Sequence, residues 1–170
     1  MIRFDNTQLR RAFSCFPTGL IAIVALDGGE PCGMVASSFT SVSLEPALVS
    51  VCFAKTSATW EVLRRLPRIG LSVLGEDHSA VASQLSAKND DRFVNVAWRS
   101  SEEGAVHIDG AALWLECSFF QIVDAGDHDV AILQIERLKP FPEVSPIVFH
   151  ASTYTALVPT ATRDLMKQVG

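Results

Sequence analysis

From Leu20 to Leu26 the chain is a nearly continuous apolar run rich in Ile and Val, and Asp27-Gly28-Gly29 follows at once. Such a run suits a buried strand, because β-branched side chains pack well on a pleated surface. Asp and Gly tolerate the positive φ of a tight hairpin turn, so a return strand is expected from about Pro31 to Ser38. The same pattern recurs in Ala47–Ala54 after Glu45-Pro46, in Ile69–Leu74 after Pro67, and in Ala111–Val123 after a turn at His107–Gly110. A further turn at Ala125-Gly126-Asp127 leads into Asp129–Leu138, and short strands are expected at Ile147–Phe149 and around Tyr154. Only short helices fit between these runs. Asn6-Thr7 can cap one that carries Leu9, Ala12, Phe13 and Phe16, and Pro17-Thr18-Gly19 ends it. Trp60, Leu63 and Leu66 mark a second helix, and Val81, Ala82 and Leu85, capped by Asp77, mark a third. Strands joined by tight turns favour an antiparallel barrel or sandwich over a doubly wound sheet.

The 170 residues fit one domain, expected over 1–158, with a helical C-terminal extension over 159–170. A formal net charge of −5 argues against a nucleic-acid partner, since phosphate backbones need basic surfaces. No apolar run approaches a membrane span, and the first residues lack a secretory core. Cys15, Cys32, Cys52 and Cys117 are far apart with no CxxC pairing, and the four histidines have no metal-ligand spacing. No metal is expected, and reduced thiols make a cytoplasmic location the default.

Chemistry concentrates in Ala36-Ser37-Ser38-Phe39-Thr40-Ser41-Val42-Ser43, where five of eight residues carry a hydroxyl. Small hydroxyl side chains offer donors and acceptors at low steric cost, as a polar cofactor edge or an anion requires. Lys55-Thr56-Ser57 stands where a strand ends and a helix begins, which brings a cation, two hydroxyls and helix amides together as a seat for phosphate. Each stretch alone also reads as strand-surface residues and a helix cap; one phosphate-bearing ligand would explain both. Arg92 can clamp a phosphate or pair with its acidic neighbours. His128, at the mouth of a hairpin, can orient a ligand or deliver a proton, or simply face solvent. Trp60, Trp98 and Trp114 read as core or interface anchors. There is no nucleophile elbow, P-loop or GxGxxG, so a nucleotide here would be held outside a Rossmann crevice.

Taken in order, several stretches resemble the short-chain flavin reductases. They are Arg10-Arg11-Ala12-Phe13, Phe16-Pro17-Thr18-Gly19, Gly33 through Pro46, Asp91-Arg92-Phe93, Trp98, Leu113-Trp114-Leu115-Glu116-Cys117 and Gly126-Asp127-His128. The resemblance covers roughly residues 8 to 157. It implies a mainly β fold, a Greek-key split β-barrel with short flanking helices, forming a homodimer with FMN or FAD bound near the interface. It implies that Val35, Ala36, Ser37, Ser38 and Ser43 line the flavin and that Cys52, Phe53, Lys55 and Ser57 serve its phosphate. Pro17, Thr18, Arg92 and Tyr154 join the cofactor site, and His128 is the catalytic residue near the nicotinamide. The implied activity is reduction of flavin by NADH or NADPH and delivery of the reduced flavin to a partner flavin-dependent monooxygenase. Two alternatives share the fold: a flavoprotein that keeps its flavin as a redox carrier or oxidase, and a flavin- or ligand-binding protein without turnover. The chain departs from the family at Phe149-His150-Ala151-Ser152-Thr153-Tyr154, where an Arg and a Gly are usual before the tyrosine, and at Leu133, where a glycine is usual.

Overall fold

A computed structural model describes residues 4–87 and 91–157. The expected C-terminal helix lies outside the described residues. Helix α1 (Asn6–Phe13) is capped by Asp5 rather than by Asn6-Thr7. The Asp5 carboxylate accepts from the Gln8 amide at 2.8 Å, and the Gln8 side chain accepts from the Asp5 amide at 3.2 Å. This reciprocal pair satisfies two otherwise orphaned donors. After the two-residue β1 (Thr18–Gly19), β2 (Ile21–Asp27) and β3 (Glu30–Ala36) form the expected hairpin. The return strand stops at Ala36, two residues short of the expectation, and the hydroxyl row divides. Ser37-Ser38-Phe39 is a crossing segment, while Thr40, Ser41 and Ser43 belong to a separate strand, β4 (Thr40–Leu44). Then follow β5 (Ala47–Ala54), α2 (Ala58–Leu63) and β6 (Ile69–Val73). A single 3-10 turn over Glu76–His78 precedes α3 (Ser79–Leu85). Asp77 falls inside that turn and is not the cap; the Gly75 amide instead donates to His78 Nδ1 at 3.1 Å.

The stretch expected as one turn at His107–Gly110 begins in a small hairpin, β7 (Trp98–Ser100) with β8 (Val106–Ile108). The long pair is β9 (Leu113–Ala125) and β10 (His128–Pro140), and β11 (Ile147–His150) with β12 (Thr153–Ala156) ends the described chain.

The main sheet is antiparallel throughout, in the order β3-β2-β6-β9-β10-β5-β4. The chain leaves one edge at Ala36 and enters the opposite edge at Thr40, so three residues must bridge the two. Such a short crossing is possible only if the sheet curls until its edges nearly meet, which makes it a split barrel. Ser38 staples the two sides: its hydroxyl accepts from the Cys52 amide at 3.0 Å and donates to the Cys52 carbonyl at 3.3 Å.

Strand β2 is apolar on both faces because it serves two cores. Ile21, Ile23 and Ala25 face the barrel interior with Val51, Phe53, Trp60, Leu71 and Leu133. Leu20, Ala22 and Val24 face outward, onto Leu74, Leu85, Val106, Ile108 and Ile147. Burial on both faces explains why the sequence shows a continuous run rather than alternation. Among the described residues no helix is long and apolar enough to cross a membrane. No cluster of His, Cys, Asp or Glu there could hold a metal ion.

Candidate functional site

The split of the barrel opens a cleft of about 610 Å³ between β3, the start of α2 and the segment after α3. Met34 and Val35 form one wall, Ala54 and Thr56–Thr59 a second, and Ser86, Ala87 and Arg92 a third. Each wall is fixed by packing well away from the opening. Trp60 stacks on Phe53 at 4.1 Å and donates from Nε1 to Asp129 at 2.8 Å, anchoring α2 to β10. Ser57 caps α2, its hydroxyl accepting from the Trp60 amide at 3.2 Å. The first-turn amides of any helix lack intrahelical acceptors, and Ala58 and Thr59, in the first turn of α2, line the cleft.

Arg92 supplies the cation. Its Nη1 donates to the Gly33 carbonyl at 3.0 Å, with Thr59 Oγ1 at 3.4 Å. The loop that carries it is tied to α3 by Gln84, whose amide nitrogen donates to the carbonyls of Asp91 (3.3 Å) and Val94 (2.7 Å). The guanidinium therefore points inward, not toward its acidic sequence neighbours. Among the described residues no carboxylate lines the cleft. Nearby, burial raises the Cys32 thiol pKa against the opposing pull of Arg92, which keeps that thiol in its neutral form.

A second cleft, about 540 Å³, lies on the other side of the crossing segment. Phe16, Pro17, Thr18, Ser37, Ser38 and Thr40 are among its lining residues, again with no carboxylate among the described residues. Val35 thus faces the first cleft while Ser37 and Ser38 face the second, so one short segment borders both.

Of the residues expected in the site, Val35, Ser57 and Arg92 line the first cleft and Pro17, Thr18, Ser37 and Ser38 the second. Ala36 ends β3 between them, and Ser43 is half-buried on β4. Cys52 and Phe53 lie on β5, where Phe53 is wholly buried in the barrel core and Cys52 meets the Ser38 hydroxyl through its backbone. Lys55 is placed differently. Its ammonium donates to Asp124 at 2.6 Å and to the Gly126 carbonyl at 2.7 Å, so it holds the β9–β10 hairpin and lines neither cleft. Tyr154 packs on Phe149 with ring centroids 5.6 Å apart. His128 pairs across the sheet with Ala54, so both side chains project from the same face, and Ala54 lines the first cleft. Asp127 Oδ1 lies 2.7 Å from His128 Nδ1, and this contact lowers the Asp127 pKa.

Sequence reasoning missed Thr59, Ser86 and Ala87 as wall residues. Thr59 follows a helix cap and could have been noticed; Ser86 and Ala87 carry no local signal.

Comparison with known proteins gives a consistent picture. The family model described as a flavin reductase like domain matches residues 13–157. The reductase component of a flavin-dependent trigonelline monooxygenase from Acinetobacter baylyi is 38% identical over 131 residues, 76% of this chain and 42% of that protein. The reductase subunit of a flavin-dependent monooxygenase from Rhodococcus jostii is 31% identical over 158 residues, covering 93% and 81%. Among solved structures, the NADH:FAD oxidoreductase of Streptomyces globisporus in complex with NAD and FAD fragments superimposes with a TM-score of 0.87. It is 35% identical, over 92% of this chain and 95% of that one. The chain spans less than half the length of some relatives, 42% of the Acinetobacter protein and 44% of one from Rhizobium meliloti.

Proposed function

This chain belongs to the flavin reductase-like family, and we propose that it reduces FMN or FAD with NADH or NADPH and passes the reduced flavin to a partner monooxygenase. One observation carries the reading: two roomy clefts, lined by no carboxylate among the described residues, adjoin along Val35–Ser38 in a chain of net charge −5, and one of them holds an inward-pointing guanidinium. Such a pair suits an elongated ligand with a phosphate at one end and a polar planar ring at the other. Arg92, Thr59 and the first turn of α2 would hold the phosphate, and Ser37, Thr18 and the backbone of the crossing segment would border the ring. Flavin, once bound, supplies the hydride acceptor at N5 for the C4 hydride of the reduced nicotinamide. The chain's own task is positioning, which explains why no acid–base constellation accompanies the site.

His128 is the residue assigned to the reductant side. If it orients the nicotinamide, His128→Ala slows single-turnover flavin reduction by about 10–100-fold, roughly 1.4–2.7 kcal/mol, with flavin affinity preserved. An unchanged rate and nicotinamide affinity would remove it from the site.

The homodimer belongs to the same proposal. Val42 and Leu44 on the edge strand β4, and Phe120, Val123 and Leu138 on the long hairpin, are exposed apolar side chains, Leu44 at 91%. Edge strands with such side chains are normally covered. Trp60, read from the sequence as a core or interface anchor, is a core anchor, wholly buried within its own barrel. Light scattering should give twice the chain mass at micromolar concentration; the mass of one chain would contradict it. A cytoplasmic location fits the four free cysteines.

A further inference from the structure

Two carboxylates are buried among the described residues, Glu116 and Asp129. Glu116 stands near two arginines, Arg68 at 3.9 Å and Arg137 at 3.8 Å. Among the described residues Asp129 pairs with Arg64 alone, at 3.7 Å, and takes its short hydrogen bond from the Trp60 indole, at 2.8 Å. A carboxylate out of water is costly unless it is paired and hydrogen-bonded. An apolar side chain in its place would anchor α2 without that cost. What the carboxylate adds is direction. Asp129 and Phe53 are cross-strand partners on β10 and β5, so both project from the same face. Phe53 stacks on the Trp60 ring at 4.1 Å, and Phe119 meets that ring edge-on at 5.8 Å. Together these residues form a socket: the rings fix the plane of the indole, and Asp129 fixes its rotation within that plane.

Helix α2 is short, and Trp60 and Leu63 are the residues it buries. Apolar contacts of Leu63 carry no direction, so the indole sets the rotation of α2 about its own axis. That rotation decides where the residues before Trp60 stand. The Trp60 amide donates to Ser57 Oγ at 3.2 Å, and Thr59 Oγ1 lies 3.4 Å from Arg92 Nη1; Ser57, Thr59 and Arg92 all line the first cleft. Arg64, which stands over the Trp60 ring at 5.4 Å, ties the other end of α2 to the same carboxylate. The preceding residue on β10 is His128, which projects from the opposite face, beside Ala54. We propose that Asp129 is a positioning residue of the first cleft: through Trp60 it holds Ser57 and Thr59 against Arg92 in the arrangement that a phosphate group requires, from the strand that also carries His128. The inference rests on the reductase reading in one respect, that the flavin phosphate occupies this cleft.

Titration with FMN and with riboflavin, which lacks the phosphate, separates this role from one in stability alone. Asp129→Ala is expected to weaken FMN about 10-fold and to leave riboflavin nearly unchanged, because only the phosphate end meets α2. Trp60→Phe keeps a ring in the socket and removes the donor, so it should show the same loss of preference for FMN. Asp129→Asn still offers an oxygen to the indole and should recover most of that preference. Equal weakening of both flavins would make Asp129 a stability residue and overturn the inference, as would a preference that the variants leave unchanged. Failure of both Asp129→Ala and Trp60→Phe to fold would overturn it too. The reductase reading fails on a different result. A wild type that prefers FMN, loses that preference in the variants and yet reduces no flavin would sink that reading and leave the positioning role standing. Equal binding of FMN and riboflavin by the wild type would remove the phosphate from the cleft and the positioning role with it, whatever the reductase activity.

Discussion

Gly70→Ala is expected to cost the protein about 3 kcal/mol or more, the upper end of what overpacking in a core does. Gly70 is the second residue of β6, paired with Val24 on one side and Glu116 on the other. Strand β8 crosses over it, and a methyl group there would run into the Val106 carbonyl oxygen, with the Val106 carbonyl carbon and amide nitrogen at 2.7 and 2.8 Å. All three atoms are backbone, so no rotamer change relieves the contact. The β7–β8 hairpin would have to lift, carrying Val106 and Ile108 out of the outer core. Given a typical stability of roughly 5–15 kcal/mol, such a loss is a large fraction of the whole. Urea unfolding with a midpoint shift corresponding to less than about 1 kcal/mol would show that β8 yields easily and that the close approach is not a constraint.

The second large effect is on ligand affinity. Arg92→Ala should weaken flavin binding by about 10–150-fold, the loss of a charge-assisted hydrogen bond worth roughly 1.5–3 kcal/mol. Lys55→Ala should do much less, because its ammonium already bonds to Asp124 and Gly126. The pair separates two seats for the phosphate that sequence alone leaves equivalent. Equilibrium titration of FMN against both variants decides between them. A larger loss in Lys55→Ala would move the phosphate to the β9–β10 hairpin and empty the Arg92 cleft of its role. Retained affinity in both would remove the cation from binding altogether.

How far the sequence reached depends on what kind of interaction fixed each part. The buried strands β2, β5, β6 and β10 were legible because burial imposes apolar composition directly. The β2–β3 turn was legible because its glycines, Gly28 and Gly29, take positive φ. Strand β4 was not, since it is short, mostly hydroxyl-bearing and almost wholly exposed, and pairing with β5 alone makes it a strand. The β7–β8 hairpin was hidden for another reason. Its burial arises from lying across Gly70 and Ala25, contacts tens of residues away in sequence. The site divides the same way. Ser57 as a helix cap is a local fact and could be read; the choice of Arg92 over Lys55 rests on a hydrogen bond spanning 59 residues, to the Gly33 carbonyl. Local pattern even favoured the surface reading for Arg92, because its sequence neighbours are acidic. The hydroxyl of Ser38 shows the converse: expected from the resemblance to line the flavin, it borders the second cleft and also closes the barrel on Cys52. Replacing it would disturb fold and binding together, so it makes a poor probe of either.

Rapid mixing under anaerobic conditions tests the proposal most directly. The protein is loaded with FMN or FAD and mixed with NADH or NADPH, and flavin absorbance is followed through a single turnover. The account expects the bound flavin to bleach far faster than free flavin at the same nicotinamide concentration. It also expects Arg92→Ala to recover that rate as flavin is raised, since the variant loses affinity rather than chemistry. Flavin that binds in the Arg92 cleft yet is reduced by neither nicotinamide faster than in free solution would contradict it, leaving a flavin-binding split barrel without reductase activity.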